Sequence, residues 1–256
     1  MPIRLTPAVK ALLIACFAFF LIQHSSDQFF GTNLLGVFAL TPVSFINGRL
    51  FWQIFTYSFL HADVMHLFLN LMMLAFIGGE LEATWGTPRF LRFYFFCSTI
   101  AGFFYIFLAM FAFHGEALHV PMVGASGAIY GLLMAYGLIF GERVLLFMML
   151  FPLKAKHFVW ILAAVELMST VFSGGGGLAG VAHLGGMVAG FGYLWGRATF
   201  SVWRRRRSEA AGRPGAKKKR RIQPKHLKLV INNQNKVEFE TTESDEDPED
   251  KPPTFH

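Results

Sequence analysis

Charge is scarce in this sequence: only 15% of its 256 residues are Asp, Glu, Lys or Arg, against 54% hydrophobic residues that include 30 Phe. So few charges cannot cover the surface of an ordinary water-soluble domain, and that class is the first to be excluded. Cysteine is scarcer still. Cys16 and Cys97 both sit in apolar runs, which excludes a disulfide framework or a cysteine metal set and leaves the two as packing residues. No His-Glu-x-x-His occurs, so zinc hydrolysis has no motif behind it. The interior acids are Asp63, near a membrane face, and Glu166, in the middle of an apolar stretch. They do not form the paired carboxylates of an aspartyl dyad. No cofactor and no metal is implied.

The charge that is present lies unevenly. Net charge is +7; residues 1–203 hold nine Lys/Arg and seven Asp/Glu, whereas residues 204–256 hold fourteen and nine. Two parts follow, a membrane domain over 1–203 and a tail over 204–256. The tail is basic at 204–207 and 217–221 and acidic between Glu243 and Asp250, a composition expected to be disordered over most of its length. Its basic part is expected to meet anionic lipid and not nucleic acid. A short apolar patch at 226–232 can pair as a strand or dock a partner.

A hydrocarbon core of about 30 Å takes about 20 apolar helical residues per crossing. Six stretches meet or approach that length: 7–23, 64–79, 90–113, 126–140, 158–172 and 178–196. The fold class expected is therefore all-α, a polytopic membrane protein of six transmembrane helices. Arg4, Lys10, Arg89, Arg92, Arg143, Lys154, Lys156 and the basic tail fall on one alternating set of connections, and Arg49 alone on the other. Positive residues mark the cytoplasmic side, so both termini are expected there. The connection 24–60 lies on the opposite, external side; its Phe29, Phe30, Phe51, Trp52 and Tyr57 suit a segment lying in the interface. The glycine run 174–177 makes another external turn.

Ionisable and polar side chains inside a bilayer are costly, so those present are functional candidates. Gly124-Ala125-Ser126-Gly127 opens the fourth span from the external side. A serine at a helix N-terminus is most often a cap, yet the free N–H groups there also suit an oxyanion. In the sixth span His183, Gly186 and Gly190 share one helical face, and Gly127 and Gly131 stand four apart beside Ser126. Two small-residue faces let helix backbones approach closely, which a direct Ser–His hydrogen bond requires. Tyr130, one turn after Ser126, can pack against the imidazole. His61, His66 and Asn70 cluster where the second span opens; His66 and Asn70 share a face, and their side chains can donate to an oxyanion or act as interhelical glue. Glu166 is expected to make an interhelical hydrogen bond.

The order of these marks resembles the rhomboid family of intramembrane serine proteases, across about residues 5–200. They are His61, His66 and Asn70, the Gly-Glu-Leu-Glu-x-x-x-Gly pattern at 79–86, Gly124-Ala125-Ser126-Gly127 with Tyr130, and Ala182-His183 with Gly186 and Gly190. The resemblance implies a six-helix bundle in a bacterial inner membrane and a Ser126–His183 dyad without a third acid. It implies an oxyanion hole from Asn70, His66 and the Ser126 backbone N–H. The substrates implied are transmembrane proteins, cut near the external end of a span beside a small residue. Gln53 departs from the Trp-Arg that the family commonly carries in the external connection. An inactive relative that escorts membrane clients, or a transporter, would use the same polar residues differently.

Overall fold

The computed structural model describes residues 4–113, 115–147, 151–172, 177–210, 228–231 and 237–240. The chain divides into two units, Met1–Val202 and Trp203–His256. Helices dominate the first, as the apolar runs dictate: in hydrocarbon every backbone N–H and C=O must be satisfied within its own segment.

Helix α1 (Pro7–Phe30) starts with Pro at its first position and ends at Gly31, whose φ of 60° is left-handed and whose N–H bonds to Ser26 O. It runs seven residues past the expected end at 23, because His24 to Asp27 lie beyond the apolar stretch, where staying helical incurs no burial cost. The external connection then folds into three short helices, α2 (Leu34–Phe38), α3 (Pro42–Ile46) and α4 (Gln53–Thr56). Phe29, Phe30, Phe51 and Trp52 are exposed on it, but Tyr57 is core: its hydroxyl donates to Ser98 O at 2.7 Å. Gln53 is fully buried at the base of the connection. Its Oε1 accepts from Thr41 N–H at 3.2 Å, and its Nε2 donates to Gly36 O and Val37 O, each at 3.3 Å. The amide is thus a clamp for the connection from inside.

The second span begins as α5 (Val64–Met73), where Asp63 caps the helix by accepting from His66 N–H at 2.8 Å. It continues through a π-helical turn, Leu74–Gly78, into α6 (Gly79–Trp85), and Gly86 with φ 78° ends it. The third is α7 (Thr87–Leu108), extended by a π-helical turn at Ala109–Phe113. Then come α8 (Ser126–Ile139), a hairpin of β1 (Val144–Phe147) and β2 (Phe151–Lys154), α9 (Ala155–Phe172) and α10 (Leu178–Ala210). Among the described residues five helices are long and apolar enough to cross a membrane: Pro7–Phe30, Val64–Trp85, Thr87–Phe113, Ala155–Phe172 and Leu178–Ser208. The sixth apolar helix, α8, has only 14 residues, about 21 Å of rise. It is nevertheless the core of the bundle, with Leu132, Ala135 and Tyr136 buried against Cys97 and Tyr94 of α7. Cys16 is equally buried, and both cysteines are free thiols used in packing.

The antiparallel hairpin, in register Val144↔Lys154 to Phe147↔Phe151, was not foreseen; its runs are short and apolar and read equally well as the fraying ends of spans. In the second unit β3 (Lys228–Ile231) pairs antiparallel with β4 (Val237–Glu240), so within the patch at 226–232 residues 228–231 form a strand. The start of the tail, 204–210, continues helix α10; its remaining residues outside the two strands, and residues 173–176 of the glycine turn, lie outside the described residues.

One carboxylate joins two helix starts. Glu82 is buried on α6 and accepts from Ala8 N–H at 2.9 Å and Val9 N–H at 3.0 Å, and from the hydroxyls of Thr6 and Thr87. It therefore satisfies the orphan donors of α1 that Thr6 leaves uncapped. Glu82→Ala should destabilise the bundle by on the order of 3 kcal/mol, since it strands buried donors. Thermal unfolding in detergent, followed by circular dichroism, should show a clearly lower midpoint; an unchanged one would mean water serves these donors equally well.

Candidate active site

The segment that delivers Ser126 is pinned from the external connection. Leu40 and Met122 exchange backbone hydrogen bonds at 3.0 and 2.9 Å, and Gly124 N–H bonds to Tyr57 O at 3.0 Å. Gly124 has φ 111°, a conformation strained for any L side chain, and a Cβ there would stand 2.7 Å from His66 Nε2. Glycine thus lets the His66 ring lie against the turn that starts α8.

Ser126 is the first residue of that helix and His183 lies in the second turn of α10. Their side chains meet, Ser126 Oγ to His183 Nε2 at 2.8 Å. The glycines explain how. A Cβ at Gly186 would lie 1.9 Å from Gly127 O, and one at Gly190 would lie 2.7 Å from Gly131 O. The two helices touch backbone to backbone, which the small-residue faces foretold. Tyr130 stacks flat on the imidazole, ring centroids 4.1 Å apart at 5°.

His66 and Asn70 lie on one face of α5. Asn70 is buried, and its Nδ2 donates to His66 O at 2.9 Å, which uses one of its two amide N–H groups. His61 stands edge-on to His66, centroids 5.2 Å apart, and its backbone O accepts from Gln23 Nε2 at 3.2 Å. Its ring is fully buried. Burial, and next the neighbouring His66, push the His61 pKa down to about 4. It is therefore a neutral ring at physiological pH and not a cation lining the site.

The sequence left one member out. Glu166 of α9, expected only to bridge helices, receives the Tyr130 hydroxyl's hydrogen bond on Oε1, and the same oxygen lies 2.9 Å from His183 Nδ1. It stands off the line of the ring N–H, so this second contact is bent and not a straight hydrogen bond. The arrangement around the imidazole therefore contains an acid, where the resemblance implied a pair without one. The signal was available: an ionisable residue at mid-span is a functional candidate by default. What sequence cannot show is that α9 turns it toward α10.

The fold and the site define a polytopic helical membrane protein with a serine and a histidine paired inside its bundle. The chain belongs to the rhomboid family, whose Rhomboid domain profile matches residues 48–200. It is 30% identical over 198 residues to the Putative rhomboid protease YdcA of Bacillus subtilis (strain 168), covering 74% of this chain and 87% of that one. To RHOMBOID-like protein 4 of Arabidopsis thaliana it is 30% identical over 187 residues, 69% of this chain and 43% of that one. To Rhomboid protein 1, mitochondrial, of Saccharomyces cerevisiae it is 33% identical over 163 residues, 61% and 45%. The chain thus spans under half the length of these last two relatives.

The backbone contact at Gly186 gives a direct test. Gly186→Ala must push α10 off α8, an overpacking that costs about 1–3 kcal/mol. Gly192→Ala, on the same helix with nothing within 4 Å of its added Cβ, should leave the thermal midpoint in detergent unchanged. Equal behaviour of the two variants would show that the close contact is unimportant for stability.

Proposed function

We propose that this protein is an intramembrane serine endopeptidase that hydrolyses peptide bonds in or near transmembrane segments of membrane proteins. The observation that carries this reading is the 2.8 Å approach of Ser126 Oγ to His183 Nε2 at the start of a helix. A serine alcohol is a weak nucleophile until a base within hydrogen-bond reach accepts its proton. As Oγ bonds to the scissile carbonyl carbon, its proton passes to Nε2. The tetrahedral intermediate collapses with cleavage of the C–N bond, and the same proton leaves on the amine. Water then repeats the sequence on the acyl-enzyme, returning serine and a carboxylic acid. Asn70, His66 and the Ser126 backbone N–H are the donors for the oxyanion, with the helix N-terminus adding its partial positive charge. His61 supports His66, and Gly124, Gly127, Gly186, Gly190 and Tyr130 set the geometry.

Depth follows from length. With the far end of α8 at the cytoplasmic interface, marked by Arg143, Lys154 and Lys156, a rise of about 21 Å leaves Ser126 about 10 Å inside the external boundary. Such a serine addresses peptide bonds within the outer part of a bilayer. The relatives named rhomboid proteases favour the same chemistry over an escort or a transporter.

A fluorophosphonate probe should label the wild-type protein in detergent, and Ser126→Ala and His183→Ala should each abolish both labelling and cleavage of a transmembrane reporter. Their losses should not add, because the two residues act as one unit. Labelling that survives Ser126→Ala would sink the proposal. Asn70→Ala should lower reporter turnover by about 10²–10³; a lower thermal midpoint with unchanged turnover would instead make Asn70 an interhelical strut.

A further inference from the structure

Beyond its first turn, α9 carries a single formally charged side chain, Glu166. Of its residues only Ala155, Phe158 and Val159, all near its start, are buried, and Leu162 and Ala163 pack half-buried against the core; most of the others are exposed. A carboxylate in such a helix is costly and is retained where it has partners. Glu166 turns inward, its side chain 14% exposed, and finds them on two helices. Its Oε1 accepts from Tyr130 of α8 and lies 2.9 Å from His183 Nδ1 of α10. Gly180 makes room for it, since a Cβ there would stand 3.1 Å from Glu166 Oε2 and 2.9 Å from Glu166 O. One turn further along α9 the Thr170 hydroxyl donates to Glu166 O at 2.8 Å.

The two imidazole nitrogens thus face two different groups, Nε2 a nucleophile and Nδ1 an acid. The geometry points to Glu166 as a positioning residue that completes a Ser126–His183–Glu166 relay, an inference that rests on the serine protease reading above. A carboxylate at Nδ1 selects the tautomer protonated there, which leaves the Nε2 lone pair for the serine proton. When Nε2 takes that proton the ring becomes an imidazolium, and Glu166 faces its positive charge. Nδ1 keeps its own proton throughout, and the carboxylate takes none. The bent contact suits this role, because catalytic hydrogen bonds are often poorly aligned until substrate binds. Tyr130 serves both partners, holding the carboxylate with its hydroxyl and the imidazole with its ring. A purely structural tie between α8 and α9 needs only the Tyr130–Glu166 bond; it gives no reason for the same oxygen to approach Nδ1.

Glu166→Gln keeps the side-chain shape but offers Nδ1 an amide, which donates or accepts and no longer imposes the tautomer. It should slow fluorophosphonate labelling and reporter kcat together, by between about 10² and 10⁴-fold, with KM and the thermal midpoint near wild type. Glu166→Asp should recover part of the rate. Wild-type labelling by Glu166→Gln would overturn the relay, as would a loss that tracks unfolding and is not rescued by Asp. Failure of the wild-type protein to label at all is a separate result: it would remove the protease reading and the relay with it.

Discussion

Everything chemical in this protein depends on how closely α8 and α10 approach. With carbonyl oxygens of α8 pressed against Gly186 and Gly190, the separation of the two helices is set by backbone, which cannot change rotamer. A serine and a histidine placed on such a pair inherit its rigidity, the condition a preorganised site needs. Most side-chain packing tolerates substitution by small rearrangements of neighbours. A contact between main chains has no such slack, so the glycines are as much a part of the site as the groups that touch one another in it.

Three other buried polar side chains in the bundle are used alike. Glu82, Gln53 and Gln23 are buried, and each spends its side chain on backbone groups of another element. Such groups are costly in an apolar interior unless paired, and a pairing with main chain fixes the position of a whole segment. Gln53 holds the external connection, whose Leu40 holds Met122, which leads into Gly124 and Ser126. The turn that leads into Ser126 is thereby positioned from this connection as well as from the helices beside it. This arrangement also explains how the connection stays ordered with glutamine where the family commonly carries arginine.

Much of this was legible in the sequence because membranes impose strong rules. The apolar runs gave the helices, and the offsets of Gly127, Gly131, Gly186 and Gly190 gave the contact between two of them. What was not legible has physical reasons. Helix ends at Phe30 and Ala210 fall beyond the apolar runs, where hydropathy carries no signal about helix continuation. The β1–β2 hairpin alternates too briefly to separate from the ends of its neighbouring spans. Tyr57 looked like an interfacial aromatic because its partner, Ser98 O, is a backbone atom with no sequence signature. Glu166 was conspicuous as an acid at mid-span, but the direction it faces depends on how α9 rotates about its own axis. Gly180 and Thr170 lie against Glu166 in this arrangement, a closeness that appears only in three dimensions.

Glu82 carries a consequence for biogenesis. During synthesis α1 leaves the ribosome well before the carboxylate that receives its leading N–H groups, which is made more than seventy residues later, near the end of the second span. The same carboxylate receives a hydroxyl from Thr87, at the start of the third. Until that point the beginning of α1 must stay in contact with water or headgroups, and its final docking waits on its neighbours. A helix made before its neighbours is therefore not finished before them, and the order of insertion differs from the order of assembly.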